Sequence, residues 1–191
     1  KLSPGVDLAQ IRPYPAYVEF ISVSGELKEA ILWFEGDFSL PVATLIMDDE
    51  AIYRWQRYDE EPDVAVAEPL NWLVEPDPAI IRAGLVKDVA ATFGGVMLDE
   101  SIAYFTTANK PDSPWVRCWE ILDWMPFNLK KLRAYLRERN IGTITVKKRG
   151  SPLTPEELIR KLKLKGDNSC TVVLTRLKND PFILICEDYT V

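Results

Sequence analysis

Histidine is absent from the 191-residue sequence. That absence removes Ser-His-Asp and Cys-His catalysis, His-ligated zinc and any imidazole pH switch. Cysteine is scarce: Cys118, Cys170 and Cys186 stand far apart and odd in number. They exclude a C-x-x-C redox or zinc site, argue against a disulfide framework, and point to a reducing, cytoplasmic setting. No apolar run approaches the ~18 residues of a membrane span, and no secretory leader pattern is present, so no membrane partner is expected. There is no G-x-G-x-x-G or P-loop pattern to cradle a phosphate, and no D-x-D-x-D-G loop with its closing Glu to bind calcium. Without a His, a cofactor cradle or an activated nucleophile, no catalytic, cofactor-binding or metal-ligating residue is assigned. What remains is core material. At 47% hydrophobic and 27% charged side chains, the chain holds enough apolar surface for one ordinary core or two small ones.

Basic side chains are few in the first part of the chain and acidic ones few in the second. Residues 1–116 carry 8 Lys/Arg against 20 Asp/Glu, a net of −12. Residues 117–178 carry 15 against 6, a net of +9, and three acids in the last 13 residues return the total to −6. A swing of this size between neighbouring segments marks a polyanion-binding region or, in the plainer alternative, amphipathic helices solvated by Lys and Arg.

Tyr17–Val23 and Leu27–Phe34 read as strands joined across Ser24-Gly25, although the second could begin as a helix. Val42–Met47 is another short apolar strand, and continuous apolarity suits strands covered on both faces. Residues 48–76 collect Asp, Glu and Pro while apolar periodicity fades, which reads as an acidic linker between domains at 1–75 and 76–191. Asp77-Pro78 opens a helix carrying Ile81, Leu85, Val89 and Phe93 at four-residue spacing and stopped by Gly94-Gly95. Ser101–Thr107 and Val116–Trp124 read as strands. Asn128 caps a helix reaching about Asn140, and Ile141–Lys148 is β-branched and extended. Thr154-Pro155-Glu156-Glu157 is a capping box whose helix Gly166 ends, and Cys170–Leu177 with Phe182–Cys186 closes a hairpin. The pattern from 77 onward is a compact α+β domain.

Lys147-Lys148-Arg149-Gly150 is the strongest local cluster. Strand alternation sends Lys147 and Arg149 to one face and Lys148 to the other. The helices on either side add Lys130, Arg133 and Arg137, and then Lys161 and Lys163. A cationic strand end beside cationic helices fits phosphate tracking, and equally an edge strand guarded by Lys. Trp115, Trp119, Trp124, Phe127 and Tyr135 lie nearby. Exposed rings there could stack unpaired bases, but most sit at core positions, with Trp115 the best candidate for exposure.

The segments KLSPGVD, ISVSGELKEAILWF, EPDPAIIRAG, TVKKRG, KLKLKGD and TVVLTR, taken in this order, resemble the C-terminal part of a bacterial class I S-adenosylmethionine-dependent methyltransferase family that ends in a THUMP-like domain. The resemblance implies an α/β fold: the last strands of a Rossmann-like methyltransferase sheet, with an acidic linker, over 1–75, then an α+β THUMP-like domain over 76–191. It implies that the parent protein binds S-adenosylmethionine upstream of Lys1, so that this chain lacks the cofactor site and is inactive alone. It implies RNA, tRNA being one option, on Lys130, Arg133, Arg137, Lys147, Lys148, Arg149, Lys161 and Lys163. A stand-alone RNA- or protein-binding adaptor is the alternative. A half-sheet over 1–47 would also leave an edge open to self-association.

Overall fold

The computed structural model describes residues 1–11, 13–34, 41–57 and 59–188. They form two compact units, Lys1–Val64 with Glu75–Phe93 and Asp112–Arg117, and Ala65–Val74 with Gly94–Pro111 and Cys118–Val191. Where the sequence pattern places a single boundary at 75–76, the chain passes between the units several times.

The first unit holds a four-stranded sheet in the order β2-β1-β3-β4, with β1 at Tyr17–Val23, β2 at Glu26–Trp33, β3 at Val42–Ile46 and β4 at Ile52–Gln56. Ser24 and Gly25, at φ 48° and 81°, make the tight β1–β2 turn. Leu2 adds one antiparallel bridge to Ala30 of β2. Two short helices follow, α1 at Pro78–Ala83 and α2 at Val86–Thr92. The single helix expected over 78–93 is therefore broken: Gly84 closes α1 in the left-handed region at φ 71°, which leaves Ile80 rather than Ile81 fully buried. The linker expected over 48–76 also contains structure, since Ile52–Gln56 pairs with β3 and Trp72–Pro76 is a strand.

The second sheet has seven strands in the order β6-β7-β5-β8-β11-β10-β9. These are β5 at Trp72–Pro76, β6 at Val96–Met97, β7 at Phe105–Thr107, β8 at Val116–Pro126, β9 at Ile141–Lys148, β10 at Asn168–Leu177 and β11 at Asp180–Cys186. Only the last three residues of the strand expected over 101–107 are extended. Helix α3 (Leu129–Glu138) connects β8 to β9, and α4 (Pro155–Leu162) connects β9 to the parallel β10. Alternation explains the continuous apolarity of residues 172–174 in β10 and 182–186 in β11. Val172, Leu174, Ile183 and Ile185 pack under α3 and α4 with Leu132, Leu136, Leu158 and Leu162. Val173, Phe182 and Leu184 pack on the opposite face with Leu98, Ile102, Tyr104 and Trp119. A strand segment buried on both faces reads as a continuous apolar run.

Candidate nucleic-acid interface

Helix α3 starts where the Asn128 carboxamide accepts from the Lys130 and Lys131 amides, both at 3.0 Å. The register this sets buries Leu132 and Leu136 and leaves Lys130 and Arg137 exposed, with Arg133 half-buried. The α4 capping box forms as expected: the Glu157 amide donates to the Thr154 hydroxyl at 3.2 Å, and the Thr154 amide donates to the Glu157 carboxylate at 3.1 Å. These bonds, with Lys161 and Arg160 nearby, hold the Glu157 carboxyl below its usual range. Lys163 ends α4 in the left-handed region, so the helix stops before Gly166.

The arginines of α3 turn towards that end. Arg133 Nη2 donates to the Lys161 carbonyl and Arg137 Nη2 to the Lys163 carbonyl, the latter at 3.2 Å. Two guanidinium groups thus satisfy carbonyls that helix geometry leaves open, at the negative end of the α4 dipole. They also draw Lys161 and Lys163 beside α3. Lys148 lies two residues after Val146, which packs into the helix-side core, so alternation puts it on the same side of the sheet. Lys130, Arg133, Arg137, Lys148, Lys161 and Lys163 therefore share the helical side. None of the six forms an ion pair with a carboxylate among the described residues.

Lys147 and Arg149 lie on the other face. The Lys147 ammonium sits 3.9 Å from the centre of the Trp119 ring, and the Arg149 guanidinium 4.9 Å from that of Tyr104. Such cation–π contacts contribute about 0.5–1 kcal/mol each when exposed. The eight sequence candidates thus divide six and two across the sheet.

The rings follow burial rather than loop position. Trp115, expected to be exposed, is 5% exposed, because it meets Trp55 edge-on at 6.1 Å and its carbonyl accepts from the Asp77 amide at 2.7 Å. Phe127 is the exposed ring, at 39%. Sequence reasoning missed the cavity of about 400 Å³ that it lines with Leu153, Thr175 and Phe182. One signal was present: Gly150-Ser151-Pro152 lies between a strand end and a helix cap, where open α/β sheets place ligands.

Burial raises all three thiols, Cys118 to about 11 and Cys170 and Cys186 to about 12, so none is an activated nucleophile. Among the described residues, no group of three or more Cys, Asp or Glu is placed to hold a metal. Among the same residues, no helix is long and apolar enough to cross a membrane.

Residues 116–188 match the family described as THUMP domain-like. This region is a THUMP-like domain. Over 93% of its length the chain is 33% identical to proteins from two strains of Mycobacterium tuberculosis, each described as an uncharacterized S-adenosylmethionine-dependent methyltransferase. It spans about half the length of these relatives, 49% in both. A crystal structure from Porphyromonas gingivalis, of a protein designated a methyltransferase, superposes with a TM-score of 0.74. It is 20% identical and covers 97% of this chain, which in turn covers 49% of it. The α/β fold is thus shared with that structure, and the THUMP-like match falls on β8 to β11 and their two helices.

Proposed function

We propose that the chain is the C-terminal, substrate-recognition portion of a methyltransferase that uses S-adenosylmethionine, and that its THUMP-like domain grips RNA on the helical side of the sheet. The observation that supports this reading most directly is the gathering of six cations on that side without a carboxylate partner. Clustered Lys and Arg neutralise phosphates regardless of sequence, while base contacts supply any selectivity. Lys147 and Arg149, on the other face, serve the fold first and contact RNA only if it wraps the strand end.

The described residues do not fit the cofactor. Gly84, Gly94 and Gly150 occupy isolated positive-φ positions and Gly25 belongs to the β1–β2 turn, and no glycine-rich run joins a strand to a helix as a nucleoside cradle requires. We place the cofactor site in the remainder of the parent protein, and titration calorimetry with S-adenosylmethionine checks this: micromolar binding to the 191-residue chain overturns it.

Fluorescence anisotropy with tRNA at low salt tests the RNA contact. Lys130, Lys161 and Lys163 changed together to Glu should weaken binding at every RNA sequence and reduce the salt slope by roughly one for each phosphate no longer neutralised. Unchanged affinity would leave the cations as solvating groups only. The open side of β2, which carries the single bridge from Leu2, is by the same reading a pairing edge for a second copy. Light scattering that gives a strict monomer at high concentration removes that expectation.

A further inference from the structure

The cavity beside Phe127 lies where β8, β9 and β10 end and α3 and α4 begin. Its walls are mostly apolar: Phe127 and Leu129 before and within α3, Pro152 and Leu153 before α4, and Phe182 from β11. Its volume of about 400 Å³ falls within the ~300–1,000 Å³ of small-ligand sites. What makes it more than a packing defect is the cationic character of its surroundings. Lys161 is part of the wall, Lys130 follows Leu129, and Lys148 precedes by two residues Gly150, another wall residue. The one acid in the wall, Glu157, accepts from the Thr154 amide.

We propose that this cavity takes one unstacked base of single-stranded RNA, with Lys130, Lys148 and Lys161 holding the flanking phosphates. A flat apolar ring matches the exposed Phe127 ring and the apolar wall of Leu129, Pro152 and Leu153, and the polyanionic chain attached to it matches the surrounding charge. An apolar protein side chain would fill the same walls, but would leave the cations without a counterpart. The proposal rests on the RNA reading above and deepens it.

The test compares a short single-stranded RNA with an abasic ribose-phosphate chain of the same length, both fluorescently labelled, on the 191-residue chain. RNA should bind roughly ten- to a hundredfold tighter, the contribution of one stacked base. Phe127→Ala and, independently, Leu153→Trp, each checked for native melting, should bring RNA down to the abasic level and leave abasic binding unchanged. Phe127 is exposed enough that its removal keeps the fold even if the Trp variant does not. Equal binding of RNA and abasic chain, or RNA binding by Phe127→Ala equal to that of the unaltered protein, overturns the base site while the phosphate contact stands. Saturable binding of an apolar peptide that Leu153→Trp abolishes, without preference for RNA over abasic chain, gives the cavity to a protein and overturns it too. Failure of both nucleic acids to bind at low salt sinks the RNA reading itself.

Discussion

The Ser22 hydroxyl donates to the Asp77 carboxylate at 2.5 Å, joining the end of β1 to the cap of α1 across 55 positions of sequence. Asp77 also accepts from the Ala79 amide at 2.8 Å. The residue is 5% exposed, and burial raises its pKa despite the opposing effects of these two bonds and of Arg117. A raised folded-state pKa means that the native protein binds the proton more tightly than the unfolded chain. The stabilisation is therefore complete below the ordinary Asp range and is lost as pH rises through the folded value. Asp77→Asn keeps an acceptor for Ser22 and Ala79 and removes the titration. Urea unfolding at about pH 4 and pH 7 should show stability falling with pH more steeply in the parent than in Asp77→Asn. Asp77→Ala should lose about 1–2 kcal/mol, as cap and acceptor both disappear.

Gly142 and Gly166 face each other where β9 passes the loop after α4. A Cβ on Gly142 would stand 2.0 Å from the Gly166 carbonyl oxygen, and one on Gly166 would stand 2.2 Å from that of Asn140. The Asn140 carbonyl also accepts from the Asn168 amide at 3.0 Å, so this backbone cannot move away freely. Gly142→Ala and Gly166→Ala should each destabilise by about 1–3 kcal/mol or more. Gly94→Ala, at φ 61° with open space around its Cβ position, should lose about 1–2 kcal/mol through strain alone. Thermal melting of the three variants separates crowding from strain.

Local signals read correctly from the sequence. The Asn128 cap, the Thr154 capping box, the Ser24-Gly25 turn and the alternation through Lys147, Lys148 and Arg149 depend on neighbouring residues, and the structure keeps them. What could not be read depends on distant partners. Ile52–Gln56 looked like linker because acids surround it, yet β3 pairs with it through five residues. Gly166 looked like a helix stop, and its real constraint is a backbone contact with Gly142. Trp115 sits in a loop after Pro114, and the partners that meet it, Trp55 and Asp77, are distant in sequence. At the candidate site the residue types were legible and their duties were not. Arg133 and Arg137 share a helix face with Lys130, yet their guanidinium groups reach the last carbonyls of α4. The cavity was invisible because three separate connections build it.

That division of duties among the cations is measurable. Arg133→Ala should lower stability by about 1–2 kcal/mol, since it removes a charged hydrogen bond from a half-exposed position. Lys130→Ala should leave stability within ~0.5 kcal/mol, as expected for an exposed residue without an ion pair. The order should reverse for tRNA at low salt, where Lys130→Ala weakens binding without altering the melting temperature. Equal stability losses in both variants would mean that the Arg133 bond to the Lys161 carbonyl does not hold in solution.

The three thiols give an independent check on packing. Cys170 and Cys186 are buried among apolar side chains, and their pKa values are pushed up to about 12, while Cys118, half-buried beside Pro111, reaches about 11. Desolvation is the leading cause in all three. Since the thiolate is the reactive form, an increase of about two pKa units cuts its population at neutral pH roughly a hundredfold, before access is considered. A maleimide should therefore label the folded protein far more slowly than the urea-unfolded chain. Cys118 should react first, and Cys170 and Cys186 only as the domain opens. Because Cys170 of β10 and Cys186 of β11 belong to the buried clusters on the two faces of the sheet, their labelling rate reports the opening of that core. It should rise in Gly142→Ala and Gly166→Ala, whose crowding strikes β9 beside β10, and stay unchanged in Lys130→Ala. Fast labelling of Cys186 in the intact fold would contradict the packing of β11 between two covered faces.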